Sequence, residues 1–153
     1  MKRRAFLGAT GAAALAEGQT PQTVVRFDHV ALPMQNTDAM VAFYRAMGFG
    51  ITDRETAVSV HFGDNMINFH KPKQWQNPQF TLRAPKADPP CGDLCFVWGG
   101  TAETLRAMLD RAKAKIMEGP GKRQGGREGG KHQGTSVYVR DPDGNLLEFM
   151  IYG

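Results

Sequence analysis

Glu148 is a carboxylate set inside an apolar run, Leu146-Leu147-Glu148-Phe149-Met150-Ile151. A charge there has to be paired, protonated or bound to a metal, because an unpaired buried charge is very costly. Three other polar residues interrupt apolar runs in the same way: His29 in VVRFDHVAL, Asn68 in MINFH and Asp93 in GDLCFVW. His70 lies two positions beyond Asn68, on the same face if that run is a strand. An imidazole and a carboxylate facing one another suit a borderline metal, and Asp and Asn oxygens push the preference towards harder ions. An ion with vacant positions can chelate two neighbouring substrate oxygens and stabilise developing negative charge as a Lewis acid.

These residues need elements that bring them together. Ser136 to Tyr152 reads as strand, tight turn and strand, with Pro142 presetting φ and Gly144 accepting φ > 0 in Asp141-Pro142-Asp143-Gly144-Asn145. Val24 to Leu32 is an expected strand closed by Pro33. Thr37 or Asp38 is expected to cap a helix carrying Met40, Val41, Phe43, Tyr44 and Met47 on one face, ended by Gly48 and Gly50. Ile51 to Arg54, Ala57 to Phe62 and Met66 to His70 follow as strands. Lys71 to Pro90 carries five prolines and reads as an extended linker. Beyond it come a strand from Gly92 to Trp98, a helix capped by Thr101, a short strand from Lys115 to Met117, and a Gly-rich basic loop from Gly119 to Gly134 containing His132. Strand, helix and three strands thus occur twice, an internal repeat. In the alignment of the halves His29 matches Asp93, Ala31 matches Cys95, and Asn68 matches Glu148.

Totals narrow the class. The chain of 153 residues is long enough for one domain or two small modules sharing a core, and no apolar run approaches a stable membrane span. The net charge of +4 owes three charges to Lys2, Arg3 and Arg4. The nearly neutral remainder gives no electrostatic case for nucleic acid. MKRRAFLGATGAAALAEG has a basic start, a mildly apolar centre and a small-residue cleavage site, and Arg3-Arg4-Ala5-Phe6-Leu7 resembles a twin-arginine export signal. A periplasmic or otherwise exported location follows as the expectation, with a plain N-terminal helix and a cytoplasmic location as the alternative. Cys91 and Cys95, four apart on one strand, would lie ~13 Å apart and are expected to be free thiols on one strand face.

The arrangement resembles the vicinal oxygen chelate superfamily, which includes glyoxalase I, extradiol dioxygenases and the fosfomycin- and bleomycin-resistance proteins. FDHVAL, INFHKP, GDLCFVW and SVYVRDPDGNLLE carry the resemblance, which is nearest to the subgroup called glyoxalase domain-containing protein five. It implies an α+β fold in which two βαβββ modules, 24–70 and 91–152, joined by linker 71–90, form a cupped mixed sheet, preceded by an export signal and tail over 1–23. It also implies a divalent metal (Fe, Mn, Zn, Ni or Mg) held by His29, Asp93, Glu148 and Asn68, with His70 as the alternative to Asn68, a small-molecule substrate with adjacent oxygens, and in some members a homodimer. Val137-Tyr138, Asp141-Pro142-Asp143-Gly144 and Glu148 further resemble the extradiol dioxygenase pattern, with His132 one residue too near. Dioxygenase or glyoxalase-like lyase chemistry is therefore expected, with Glu148 as base and Tyr138 or His132 as acid. Asn68 and Asp93 depart from the glyoxalase I ligands, and Asp93 stands where a dioxygenase has His. The alternative is a metal-free binding or resistance protein using Trp75, Trp98, Phe80 and Tyr138 to stack a small ligand. A structural reading remains for each residue: an arginine partner for Glu148, a core hydrogen bond for His29, a turn cap for Asp93, a backbone bond for Asn68, a linker anchor for His70, a cavity wall for Tyr138 and simple solvation for His132.

Overall fold

The computed structural model describes residues 23–153, so the expected export signal lies outside the described residues. The first module runs β1 (His29–Pro33), α1 (Thr37–Met47), β2 (Gly50–Asp53), β3 (Ala57–Phe62) and β4 (Asn65–His70). A short helix α2 (Pro72–Trp75) opens the linker. The second module runs β5 (Asp93–Val97), α3 (Ala102–Arg111), β6 (Glu118–Gln124), α4 (Arg127–Gly130), β7 (Gln133–Arg140) and β8 (Leu146–Ile151). Each module makes its own four-stranded mixed sheet, ordered β1-β4-β3-β2 and β5-β8-β7-β6, with β1 parallel to β4 and β5 parallel to β8. The ladders bear out the repeat. Ala31 pairs Asn68 as Cys95 pairs Glu148, and His29 pairs Met66 as Asp93 pairs Leu146.

Strand alternation decides which side chains reach the open face. Ile67 and Phe69 in β4, and Leu147 and Phe149 in β8, are buried towards the helices. Asn68 and Glu148, between them, must point the other way. Helix α1 buries Met40, Val41, Phe43, Tyr44 and Met47, and α3 buries Leu105, Met108 and Leu109. The two helical faces share one core. Phe96 of β5 stacks on Phe149 at 5.5 Å and meets Phe49 and Phe62 of the first module at 5.5 and 5.1 Å. The Asp-Pro-Asp-Gly turn ties the modules as well: Asp143 accepts from the Gln35 and Asn36 amides at 2.6 and 2.9 Å, and Asp141 from the buried Tyr44 hydroxyl at 3.0 Å.

Several boundaries differ from expectation, each for a physical reason. Val24, Val25 and Phe27 are exposed and stand outside β1; the Phe27 carbonyl is held by the Asn65 side-chain amide, not by a neighbouring strand. Asn36 precedes α1 in the cap position that Thr37 or Asp38 was expected to fill. The stretch read as a loop after Met117 is the strand β6, and Lys115–Met117 is not a strand. Gly119 (φ 100°) allows it: a Cβ there would lie 2.4 Å from the Ser136 carbonyl oxygen, so only glycine permits the close approach to β7. Cys91 precedes β5, so the thiols do not share a strand, although both are free as expected. Thr101 caps α3 as read from the sequence, accepting from the Thr104 amide.

Candidate functional site

In the second module one row of side chains crosses the open face. Cys95 on β5 lies in register with Glu148 on β8, which lies in register with Tyr138 on β7. Arg123, from β6, places its guanidinium 5.6 Å from the Tyr138 ring centroid and forms an ion pair with Glu118. Glu148 Oε1 is buried and has no hydrogen-bond partner. Among the described residues no arginine or lysine pairs with Glu148, so the purely structural reading of that carboxylate lacks its expected cation.

The neighbours of Glu148 are held in their protonated forms. Burial, then the Glu148 charge, pushes the Cys95 thiol up to about 12, so it is a donor and not a nucleophile near neutral pH. Burial and hydrogen bonding to Glu148 raise Tyr138 above the ordinary phenol value, against the opposing influence of Arg123. Interaction with Tyr138 in turn raises Arg123. The row therefore holds a carboxylate with one covered oxygen lacking a donor, beside a phenol and a guanidinium that keep their protons.

The first module's row is different. Asn68 Oδ1 accepts from Ser59 Oγ at 3.2 Å, and Ser59 accepts from Arg54 at 2.9 Å, so Asn68 is already engaged. His29 is exposed and hydrogen-bonds Asp28 through Nδ1 at 2.7 Å, and Asp93 is exposed. His70 packs edge-on against Phe80 of the linker at 5.1 Å, the anchoring role that its position allowed. His132 stands apart from Tyr138. It packs on Tyr152 at 5.6 Å, with Glu128 3.7 Å from its Nδ1. Five strand steps put ~17 Å between Tyr138 and Gln133, the residue that follows His132. That sets His132 apart from the Glu148 row, at the Tyr152 end of β7.

The implied metal needs donors that are free and that converge. Glu148 Oε1 is unpartnered, and the Asp28 bond leaves His29 Nε2 free, so each alone suits a ligand role. Yet among the described residues no three of His, Cys, Asp and Glu come together, and Asn68 is spent on Ser59. As they stand in one chain, these side chains do not fit a three-donor metal centre. Arg123 was missed from sequence because β6 was; the basic Gly-rich composition hid a strand. Cys95 was visible through its match to Ala31, but its contact with Glu148 was not.

The repeat, the paired parallel strands and the open face agree with a family match. The family model described as the glyoxalase/bleomycin resistance protein/dioxygenase superfamily matches residues 26–149. The chain belongs to this superfamily. A virulence protein, STM3117, of Salmonella typhimurium is 31% identical over 129 residues, covering 83% of this chain and 84% of that protein. Its crystal structure superposes with a TM-score of 0.71 at 29% identity, over 84% of this chain and 97% of that one. A glyoxalase domain-containing protein, RDO1, of Mycosarcoma maydis is 30% identical, over 94% of this chain and 78% of that protein. An integron cassette protein from Vibrio cholerae reaches a TM-score of 0.73 at 28% identity, over 88% and 100% of the two chains. These superfamily relatives support the two-module fold; the narrower subgroup remains a resemblance of motifs. No helix among the described residues is long and apolar enough to cross a membrane.

Proposed function

We propose that this superfamily member acts on a small oxygen-bearing carbonyl compound by moving a proton with Glu148. The observation that carries the reading is the buried, unpartnered Glu148 Oε1. A carboxylate oxygen with no donor keeps its basicity, and it takes a proton from carbon once a bound substrate displaces the side chains that cover it. In this reading Arg123, which keeps its proton, donates to the oxygen on which enolate charge develops, and Tyr138 does so once its O–H turns from Glu148 to the substrate. Cys95, kept as a thiol, lines the row without attacking substrate. The chemistry is of the lyase or isomerase kind, in which one base removes and returns a proton. The test is deuterium wash-in in D2O, followed by NMR, across a panel of α-hydroxy aldehydes, ketones and acids that carry a hydrogen on the α-carbon. Wild type should exchange at least one of them, and Glu148→Gln should slow that exchange about 10²–10⁴-fold with its circular dichroism unchanged. Equal exchange by the two proteins would refute the assignment.

A metal-dependent form, with dioxygenase or glyoxalase-like lyase chemistry, is the second reading. The free Glu148 oxygen and the repeat-equivalent positions of His29 and Asp93 favour it, and it requires those side chains to close on one ion. Elemental analysis of purified protein tests it. Export through the Arg3-Arg4 segment is part of the proposal; cell fractionation of the Arg3→Lys, Arg4→Lys double variant should show retention in the cytoplasm if it holds.

A further inference from the structure

The back of the second sheet carries two adjoining features that the open face does not use. Strand alternation turns Val137 of β7 and Ile151 of β8 away from the Glu148 row, towards α3. There, with Leu105 and Leu109 of α3 and with Ile116, they line a cavity of about 150 Å³. Its lining is mainly apolar; Arg106 borders it too, but is engaged by Asp110 at 3.1 Å. Apolar cavities of about 150 Å³ stay dry and take up a small hydrocarbon.

Ile116 also lines a second, more open hollow of about 550 Å³, together with Lys113, Lys115, Met117 and Arg140. No acid lines that hollow, and among the described residues none of its three cations forms an ion pair. Burial alternates along the segment: Ala114 is buried and Ile116 half-buried, while Lys113, Lys115 and Met117 are exposed. Lys113 occupies a position that favours glycine. At the end of α3 the Ala114 amide donates to the Leu109 carbonyl at 2.9 Å and the Lys113 amide to the Asp110 carbonyl at 3.0 Å, with Lys113 at φ 55°. A residue with a β-carbon pays for that left-handed turn, and glycine does not. Arg111 already supplies the cation that suits a helix C-terminus. Lys113 therefore puts a further charge on the rim against the preference of its own backbone.

We infer that these two hollows form one site for a short alkyl carboxylate, its tail in the apolar cavity and its carboxylate among Lys113, Lys115 and Arg140. The cavity alone would take any small hydrocarbon and the hollow alone any anion. The wall they share at Ile116 selects a molecule that is both. The site uses none of Cys95, Glu148, Tyr138 and Arg123, so it stands or falls separately from the proton-transfer reading.

Octanoate is the probe, titrated into the full chain by isothermal calorimetry. Acetate supplies the head without the tail, and octylamine the tail with a cationic head. Octanoate should saturate at one site, and neither control should. Affinity should rise from butanoate through hexanoate to octanoate, by up to about fourfold per buried methylene. Lys115→Gln should weaken octanoate about two- to fivefold. Lys113→Gly should weaken it by a similar factor while raising the melting temperature of the free protein, which separates the lost charge from a damaged fold. In methyl NMR spectra Ile116, Val137 and Ile151 should shift with octanoate. Val97, exposed on the open face of β5 beside Cys95, should not. Glu148→Gln should leave the titration unchanged. The inference is overturned if octanoate does not saturate, if acetate or octylamine binds equally, if both lysine variants bind as wild type does, or if Val97 shifts in place of Ile116 and Val137.

Discussion

Removing the charge of Glu148 should change its neighbour as well as its own chemistry. With the Cys95 thiol at about 12, roughly one in ten thousand is a thiolate at pH 8. Burial is the larger cause and persists in Glu148→Gln, but the Coulombic contribution does not. Iodoacetamide labelling of Cys95, read by peptide mass spectrometry, should therefore become several-fold faster in that variant. Cys91, raised by its own burial and by Asp88, is the internal control and should not change. An unchanged Cys95 rate would mean that the carboxylate does not face the thiol. Glu148 was legible from sequence because a carboxylate in an apolar strand is conspicuous. Its two protonated companions were not equally so. Tyr138 could be placed from strand alternation alone, whereas Arg123 depended on recognising β6, whose glycines and proline show no period-two pattern.

The element that holds the modules in place is the turn between β7 and β8. Asp143 accepts from two backbone amides and from the Asn36 side chain, all across the module boundary. Asp143→Ala should lower stability in urea by about 1–2 kcal/mol, and Tyr44→Phe, which leaves the buried Asp141 Oδ2 with the Asn145 amide as its remaining donor, by about 0.5–1.5 kcal/mol. Burial raises Asp141 above the usual 3.8, outweighing its bonds from Asn145 and Tyr44. The folded state thus holds that proton more tightly than the unfolded chain. This group's contribution to stability accordingly rises as pH falls through its folded value towards 3.8, opposite to a salt-bridged aspartate. A carbon-13 titration should show one carboxyl titrating late, and Asp141→Asn should remove it. The turn itself was readable from Asp-Pro-Asp-Gly. Its partners were not, because Gln35, Asn36 and Tyr44 meet it only once α1 has docked. The same holds for the linker: five prolines predicted extension, and nothing local announced that Arg83 would fold it over β1 and β4.

At the scale of the molecule, the fold followed from one inference, the repeat. Alternation in strands is backbone geometry, so aligning Asn68 with Glu148 also aligned Ala31 with Cys95, and the ladders agree. What alignment does not supply is convergence. Equivalent positions in two separately hydrogen-bonded sheets need not meet, and the rows of the two modules do different work: one is a closed Arg54-Ser59-Asn68 chain, the other has a free acceptor. The two modules have diverged in this way, and the unpartnered acceptor lies in the second. The most direct test measures α-carbon deuterium exchange on the best compound of the panel, in wild type and Glu148→Gln, each after EDTA treatment and again after adding back Mn(II), Fe(II), Zn(II), Ni(II) or Mg(II). The account predicts that wild-type exchange survives EDTA, gains nothing from any metal and collapses in Glu148→Gln. Exchange abolished by EDTA and restored by one ion, or retained in Glu148→Gln, would contradict it.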